Sequence, residues 1–442
     1  MKTKTVLTLL SALTLVKAID IPSSNINDIE EVENNTLTIS RTSTIIVSNE
    51  IATEGTDSEI LEVTESLYDE EDSEASSNEE IGNPSFIRSI QNPALNPNIN
   101  PNLATRISPE EDHYISELSE NVIREKVYYP TRYGIELAGD LYLAKGIDLS
   151  KKHPAILVGA PFGGTKEQGP SIYANELAQR GFVVLTFDPS YYGFSGGLPR
   201  FAGSSSTYTE DFSAGIDFLG VQDFVDSERI AVIGICGSGG FSLSAAAQDS
   251  RIKAVVPIVM YDIADLSNSA TGAEREQLIA TLSAQRWEDA LNGTPAFTSS
   301  YLDHPITEEE IPVPKDETAL DDTMWNYYHF YATARGWHKN ALASHTNTSN
   351  LEMSNLPTTS HISEIKAPML FIAGEIAHSR PFAEKAFANA AEDADKELYL
   401  VEGAVHVDLY DNLEKIPFDK IERFLKEKLE FKIIDFKNIY KV

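Results

Sequence analysis

The spacing of apolar residues changes three times along the chain. From residue 19 to about residue 105 they are sparse and aperiodic, scattered among Glu, Asp, Ser, Thr and Asn. Beyond about residue 107 they organise. Alternating runs at 126–129 and 135–142 flank Arg132-Tyr133-Gly134 and predict an antiparallel hairpin. Short apolar runs at 155–158, 183–187, 230–235 and 254–259 predict strands, followed by 369–373 and 397–401. Segments 168–180, 208–219 and 241–248 read as helices between them. Strands alternating with helices predict an α/β fold, a mostly parallel sheet with helices on both faces and a mixed edge at the hairpin. The alternation stops between about 263 and 365. That insert carries a helical segment, 273–291, and a run of aromatics that includes Trp325, Tyr328 and Trp337. Placed after a strand C-terminus, it would overhang the crevice where open α/β sheets bind ligands, and it reads as a helical cap.

Composition divides the chain the same way. The 442 residues carry a net charge of −33. Between residues 20 and 80 there are eighteen acidic residues against one basic, Arg41. Such a segment cannot bury enough apolar surface to offset its ordering entropy, so residues 19–105 are expected to be a disordered acidic tail, dispensable for folding. Its one β-prone patch spans 38–51. The acidity argues against a nucleic-acid partner. Residues 1–18 have the form of a secretory signal peptide: Lys2 and Lys4, an apolar run over 6–16, then Ala18. The run is too short to span a bilayer, so a secreted domain over 106–442 is expected. Sequons at Asn34, Asn292 and Asn347 would be glycosylated if the host is eukaryotic.

Candidate chemistry concentrates at 229–246, RIAVIGICGSGGFSLSAA. A β-branched strand, four glycines within seven positions and a small-residue helix make the pattern of a nucleophile elbow. Two residues compete for its tip, Cys236 and Ser238. The frame set by Asp226, Arg229, Ile230 and Gly234 favours Cys236, whereas Ser238 would lengthen the strand by two residues. Cys236 is the single cysteine, so no intramolecular disulfide is available to it. The histidines of the insert, His304, His329, His338, His345 and His361, lack metal-ligand spacing and no HExxH occurs, so neither a metal nor another cofactor is expected.

Four stretches carry a resemblance: PFGGTKEQ at 161–168, FDPSYYGFSGGLPR at 187–200, GICGSGG at 234–240 and GAVHVDLYD at 403–411. With FYATARGWHKN at 330–340, the chain resembles the α/β-hydrolases of the dienelactone-hydrolase-like group, related also to Xaa-Pro-peptidase-type esterases. The likeness covers roughly residues 120–430 and implies an α/β-hydrolase fold. It implies Cys236 as nucleophile, His406 as general base, and the amides of Phe162 and Gly237 as the oxyanion hole. The acid of the triad departs from the pattern, because Gly374-Glu375-Ile376-Ala377-His378 lacks the expected aspartate. Glu375 and Asp262 are the alternatives, with Glu375 favoured, and a Cys–His pair without an acid is the third. Glu167 is expected to pair with Lys166. The function implied is hydrolysis of a small-molecule ester, lactone or thioester through an acyl-enzyme, with an acyltransferase or a non-catalytic interaction protein as alternatives. Trp325, Tyr328 and Trp337 are the expected substrate-binding surface of the cap.

Overall fold

The computed structural model describes residues 36–39, 45–48, 86–87, 113–267, 271–298, 304–341 and 344–430. The expected signal peptide lies outside them, as does most of the expected tail. Within the tail segment Thr36–Ile39 pairs antiparallel with Ile45–Ser48, a short hairpin overlapping the β-prone patch. Phe86 and Ile87 pack on the main domain: the Phe86 ring lies 6.2 Å from that of Phe224, and Ile87 is buried in the core. The tail segment therefore contributes two apolar residues to the domain it precedes.

Eight strands form one sheet: β1 (Val122–Pro130), β2 (Glu136–Ala144), β3 (His153–Gly159), β4 (Val183–Phe187), β5 (Val225–Ile235), β6 (Ala254–Ile258), β7 (Met369–Gly374) and β8 (Lys396–Val401). Their order across the sheet is β8-β7-β6-β5-β3-β4-β2-β1. Only β2 runs against the rest, because it is antiparallel to both β1 and β4. Strands β4, β6 and β7 are buried along their whole length, as expected of parallel strands covered on both faces. Strand β5 starts five residues before the expected run, since Val225 pairs with His153 across an irregularity.

Among the described residues ten helices connect or cover these strands: α1 (Gly169–Gln179), α2 (Ser205–Gly220), α3 (Ser238–Gln248), α4 (Ile263–Ser267), α5 (Ala273–Asn292), α6 (Thr323–Tyr331), α7 (Ser349–Met353), α8 (Arg380–Asn389), α9 (Asp408–Asp411) and α10 (Phe418–Leu429). The insert between β6 and β7 carries α4 to α7 and forms the cap. The chain runs from β3 outward to β4, then returns through α2 to β5 on the other side of β3. Strand order reverses there, so the loops leaving β3 and β5 part and open a crevice at their C-terminal ends. Residues 161–168 and Cys236 stand at that crevice.

Candidate active site

Strand β5 ends at Ile235 and α3 begins at Ser238, leaving two residues to turn the chain. Cys236 takes the turn with φ of +58°, a conformation that β-carbons disfavour. The surrounding backbone holds it there. Its amide donates to the Ile258 carbonyl at 2.9 Å, and its carbonyl accepts from Gly239 and Tyr261 at 3.0 Å each. A side chain at Gly234 would collide with the Ser238 backbone, so the return of the helix across the strand requires glycine. Ser238 is the first helical residue, and its hydroxyl donates to the Ala160 carbonyl at 2.5 Å. That bond ties α3 to the end of β3.

The Cys236 sulfur is buried beneath the cap, with 7% of the residue exposed. Burial pushes its pKa up to about 11, opposed by the Tyr410 hydroxyl and the amides of Gly237 and Phe162, which lie beside it. The two amides expected to form an oxyanion hole therefore converge on this atom. Phe162 is positioned by its loop: Gly164 donates to the Pro161 carbonyl at 2.8 Å and the Lys166 amide to Asp188 at 2.8 Å. The Lys166 ammonium pairs with Glu167 and lies 3.7 Å from both Asp140 and Asp188, all of them buried. Gln168 reaches the cap, donating to the Gly336 carbonyl at 2.6 Å.

His406 is buried, and its two ring nitrogens have separate partners. Nε2 meets the Tyr410 hydroxyl at 2.9 Å, and Nδ1 meets the Ser379 hydroxyl at 2.6 Å. Burial, then the neighbouring His378, hold its pKa well below the usual histidine value. The imidazole is therefore neutral at pH 7. The structure brings neither candidate acid to it. Glu375 accepts from the Gly403 amide at 3.0 Å. Asp262 is committed to the cap, accepting from the amides of Ala264, Thr358 and Thr359 and, at 2.6 Å, from the Thr359 hydroxyl.

A second histidine stands beside the first. His378, in the loop where the resemblance places a triad aspartate, has its ring centroid 4.9 Å from that of His406. Its Nδ1 lies 2.7 Å from Asp321 of the cap, which also accepts the His378 amide at 2.8 Å. Its Nε2 meets the hydroxyls of Tyr261 and, at 3.3 Å, Tyr327. Burial raises the Asp321 pKa, but the bond and charge of His378 outweigh it and hold the carboxyl below its usual range.

The aromatic wall around His406 is made by Tyr261, Tyr327 and Tyr410, with ring centroids 5.2 to 5.6 Å away. The expected tryptophans pack elsewhere. Trp325 stacks on His329 at 4.6 Å, and Trp337 faces His113 at 6.3 Å. Tyr328, on the same helix as Tyr327, is partly buried. Behind the elbow lies an apolar void lined by residues that include Phe162, Phe187, Tyr208 and Phe241. It holds no more than a water molecule. Among the described residues no helix is long and apolar enough to cross a membrane.

Of the residues singled out from sequence, Phe162 and Gly237 lie beside the Cys236 sulfur, and His406 is bonded to Tyr410. Sequence alone missed Tyr410, Ser379, His378 and Asp321. Tyr410 was within reach, since it lies one helical turn after His406 in the same motif.

No protein-family model matches the chain. The uncharacterized protein PA2218 of Pseudomonas aeruginosa is 46% identical over 321 residues, spanning 71% of this chain and 82% of its own. Its crystal structure superposes with a TM-score of 0.67, at 44% identity over 73% of this chain and 98% of that one. The thiohydrolase apmlB of Arthrinium phaeospermum is 32% identical over 184 residues, 41% of this chain and 56% of its own. The α/β hydrolase GrgF from Penicillium sp. sh18 shares the fold, with a TM-score of 0.57 at 21% identity over 70% of this chain and all of that one. With an eight-stranded sheet in this order and a strained residue between β5 and α3, the chain has the α/β-hydrolase fold, and it belongs to one family with PA2218.

Proposed function

We propose that this protein is an exported hydrolase that cleaves a small-molecule ester, lactone or thioester through an acyl-enzyme on Cys236. The observation that carries the reading is the environment of one atom. The Cys236 sulfur sits at a left-handed elbow, with the Gly237 and Phe162 amides and a tyrosine–histidine pair directed at it. Attack on an acyl carbonyl forms the C–S bond and moves the carbonyl π electrons onto oxygen. That oxyanion takes over the two amides, each worth on the order of 3 kcal/mol of barrier. His406 receives the thiol proton and returns it to the leaving group, while Ser379 fixes the imidazole ring where a triad acid would stand. Similarity to a thiohydrolase supports the thioester among these substrates. Export rests on the character of residues 1–18.

Acyl transfer to a second small molecule is the other reading of the same intermediate. The enclosure favours it: Cys236 and His406 are 7% and 1% exposed, so water has limited access to a bound acyl group. Turnover of p-nitrophenyl acetate, a γ-lactone and S-phenyl thioacetate, with and without an added alcohol, separates the two. Cys236→Ala is expected to abolish all turnover, and Ser238→Ala to retain a substantial part of it. Full turnover by Cys236→Ala, or labelling of Ser238 by a fluorophosphonate, would overturn the cysteine reading.

A further inference from the structure

The Tyr410 hydroxyl neighbours both the proposed nucleophile and the proposed base. It faces the Cys236 thiol on one side and is hydrogen-bonded to His406 Nε2, at 2.9 Å, on the other. The imidazole continues the line through Nδ1 to the Ser379 hydroxyl at 2.6 Å. Four groups thus form one chain: thiol, phenol, imidazole and hydroxyl. We infer that Tyr410 is a catalytic residue that relays the Cys236 proton to His406, so that base and nucleophile work without touching.

Packing keeps the phenol from stepping aside. Tyr410 is fully buried in α9, and its ring is crossed edge-on by Phe330 at 5.0 Å and Tyr331 at 6.2 Å, both from the cap. The cap also grips the helix itself, since Arg335 makes a bidentate pair with Asp411 at 2.7 and 2.8 Å. A ring held in this way keeps its hydroxyl in line.

The step balances within these three side chains. The S–H proton passes to the Tyr410 oxygen as the O–H proton passes to Nε2. The result is a thiolate, a neutral phenol and an imidazolium. Collapse of the tetrahedral intermediate sends the proton back by the same path to the departing alkoxide or thiolate. Nothing is oxidised or reduced. The resting groups are all neutral at pH 7, because burial raises the thiol and the phenol and lowers the imidazole. The other titratable groups facing the chain are Tyr261, Tyr327 and Tyr331, together with His378 and its partner Asp321.

This inference rests on the proposed role of Cys236, and alkylation of the thiol tests it without any substrate. The rate of iodoacetamide alkylation against pH is measured on the full chain for wild type, Tyr410→Phe, His406→Ala and the double variant. Tyr410→Phe keeps the ring and is expected to slow alkylation at pH 7.5 at least tenfold and to move the alkaline limb to higher pH. His406→Ala should slow it by a similar factor, and the double variant no further than either, because the two act as one unit. Effects that multiply, or a wild-type rate and pH profile in Tyr410→Phe, would overturn the relay. Should Tyr410→Phe fold poorly, a fluorinated tyrosine at position 410 keeps the shape and acidifies the phenol. An unshifted profile there would equally defeat the relay. Turnover of S-phenyl thioacetate is read in parallel. A wild-type enzyme without turnover but with these alkylation signatures removes the hydrolase reading and leaves the relay standing. Turnover equal in wild type and Tyr410→Phe removes the relay alone.

Discussion

Cys236 joins a strained backbone to a thiol that the fold keeps protonated, and the second fact makes stability depend on pH. In the open chain the thiol titrates near 9.0, whereas in the fold burial raises it to about 11. As pH rises between those values the unfolded chain releases a proton that the folded chain retains. The contribution is thus fully present below about 9 and is lost as pH rises through about 11. A displacement of that size is worth about 3 kcal/mol when fully titrated. Cys236→Ala should accordingly lose less stability than wild type in urea unfolding between pH 8.5 and 11, although buried tyrosines contribute to both curves. Parallel curves would mean that the fold does not keep the thiol protonated. The position of this cysteine was legible in the sequence, because strand register and glycine spacing are local. Its partners were not. Asp321 and His378 are 57 residues apart and meet only after the cap folds over β7, so no spacing or periodicity links them.

The oxyanion loop and α9 are the elements whose placement decides the chemistry, and both are held by charges. Lys166 stands among Asp140, Glu167 and Asp188 with 3% of its side chain exposed. Three carboxylates around one ammonium leave no surplus of positive charge. Lys166→Met should therefore cost roughly 3–5 kcal/mol, the usual consequence of removing one partner from a buried ion cluster. Chemical denaturation reads this, and an unchanged midpoint would show that the carboxylates take up protons at no cost. Arg335, by contrast, joins cap to α9 through a planar fork that lysine cannot reproduce. Arg335→Lys is expected to lower kcat on any substrate the enzyme turns over several-fold while shifting the melting temperature only slightly. A large loss of stability with normal kcat would make the pair a structural clamp alone. Most strands of the sheet could be read from apolar runs. Six helices escaped that reading, α4 and α6 to α10. The last of them carried a clear signal, since Phe418, Ile421, Phe424, Leu425 and Leu429 are buried at helical spacing. Helix α3 begins earlier than its apolar run because the elbow, not hydrophobicity, sets its start.

At the scale of the whole molecule the question is where the folded domain begins. Composition puts the boundary near residue 105, since a stretch with eighteen acidic residues and one basic between 20 and 80 has little to bury. Composition averages over its window, however, and two apolar residues in a polar stretch vanish in the average. Phe86 meets Phe224, and Ile87, 6% exposed, joins the core. Burying a side chain of this size contributes about 2 kcal/mol, less the entropy of ordering the chain that carries it. Two truncations separate the possibilities. A chain beginning after residue 81 keeps the pair and should melt at the wild-type temperature. A chain beginning after residue 102 loses it and should melt several degrees lower, with alkylation of Cys236 unchanged because neither residue approaches the elbow. Restoring only 82–102 to the shorter chain should return the difference. Equal melting temperatures for the two would show that Phe86 and Ile87 dock without net gain, the burial being cancelled by the cost of holding the segment in place.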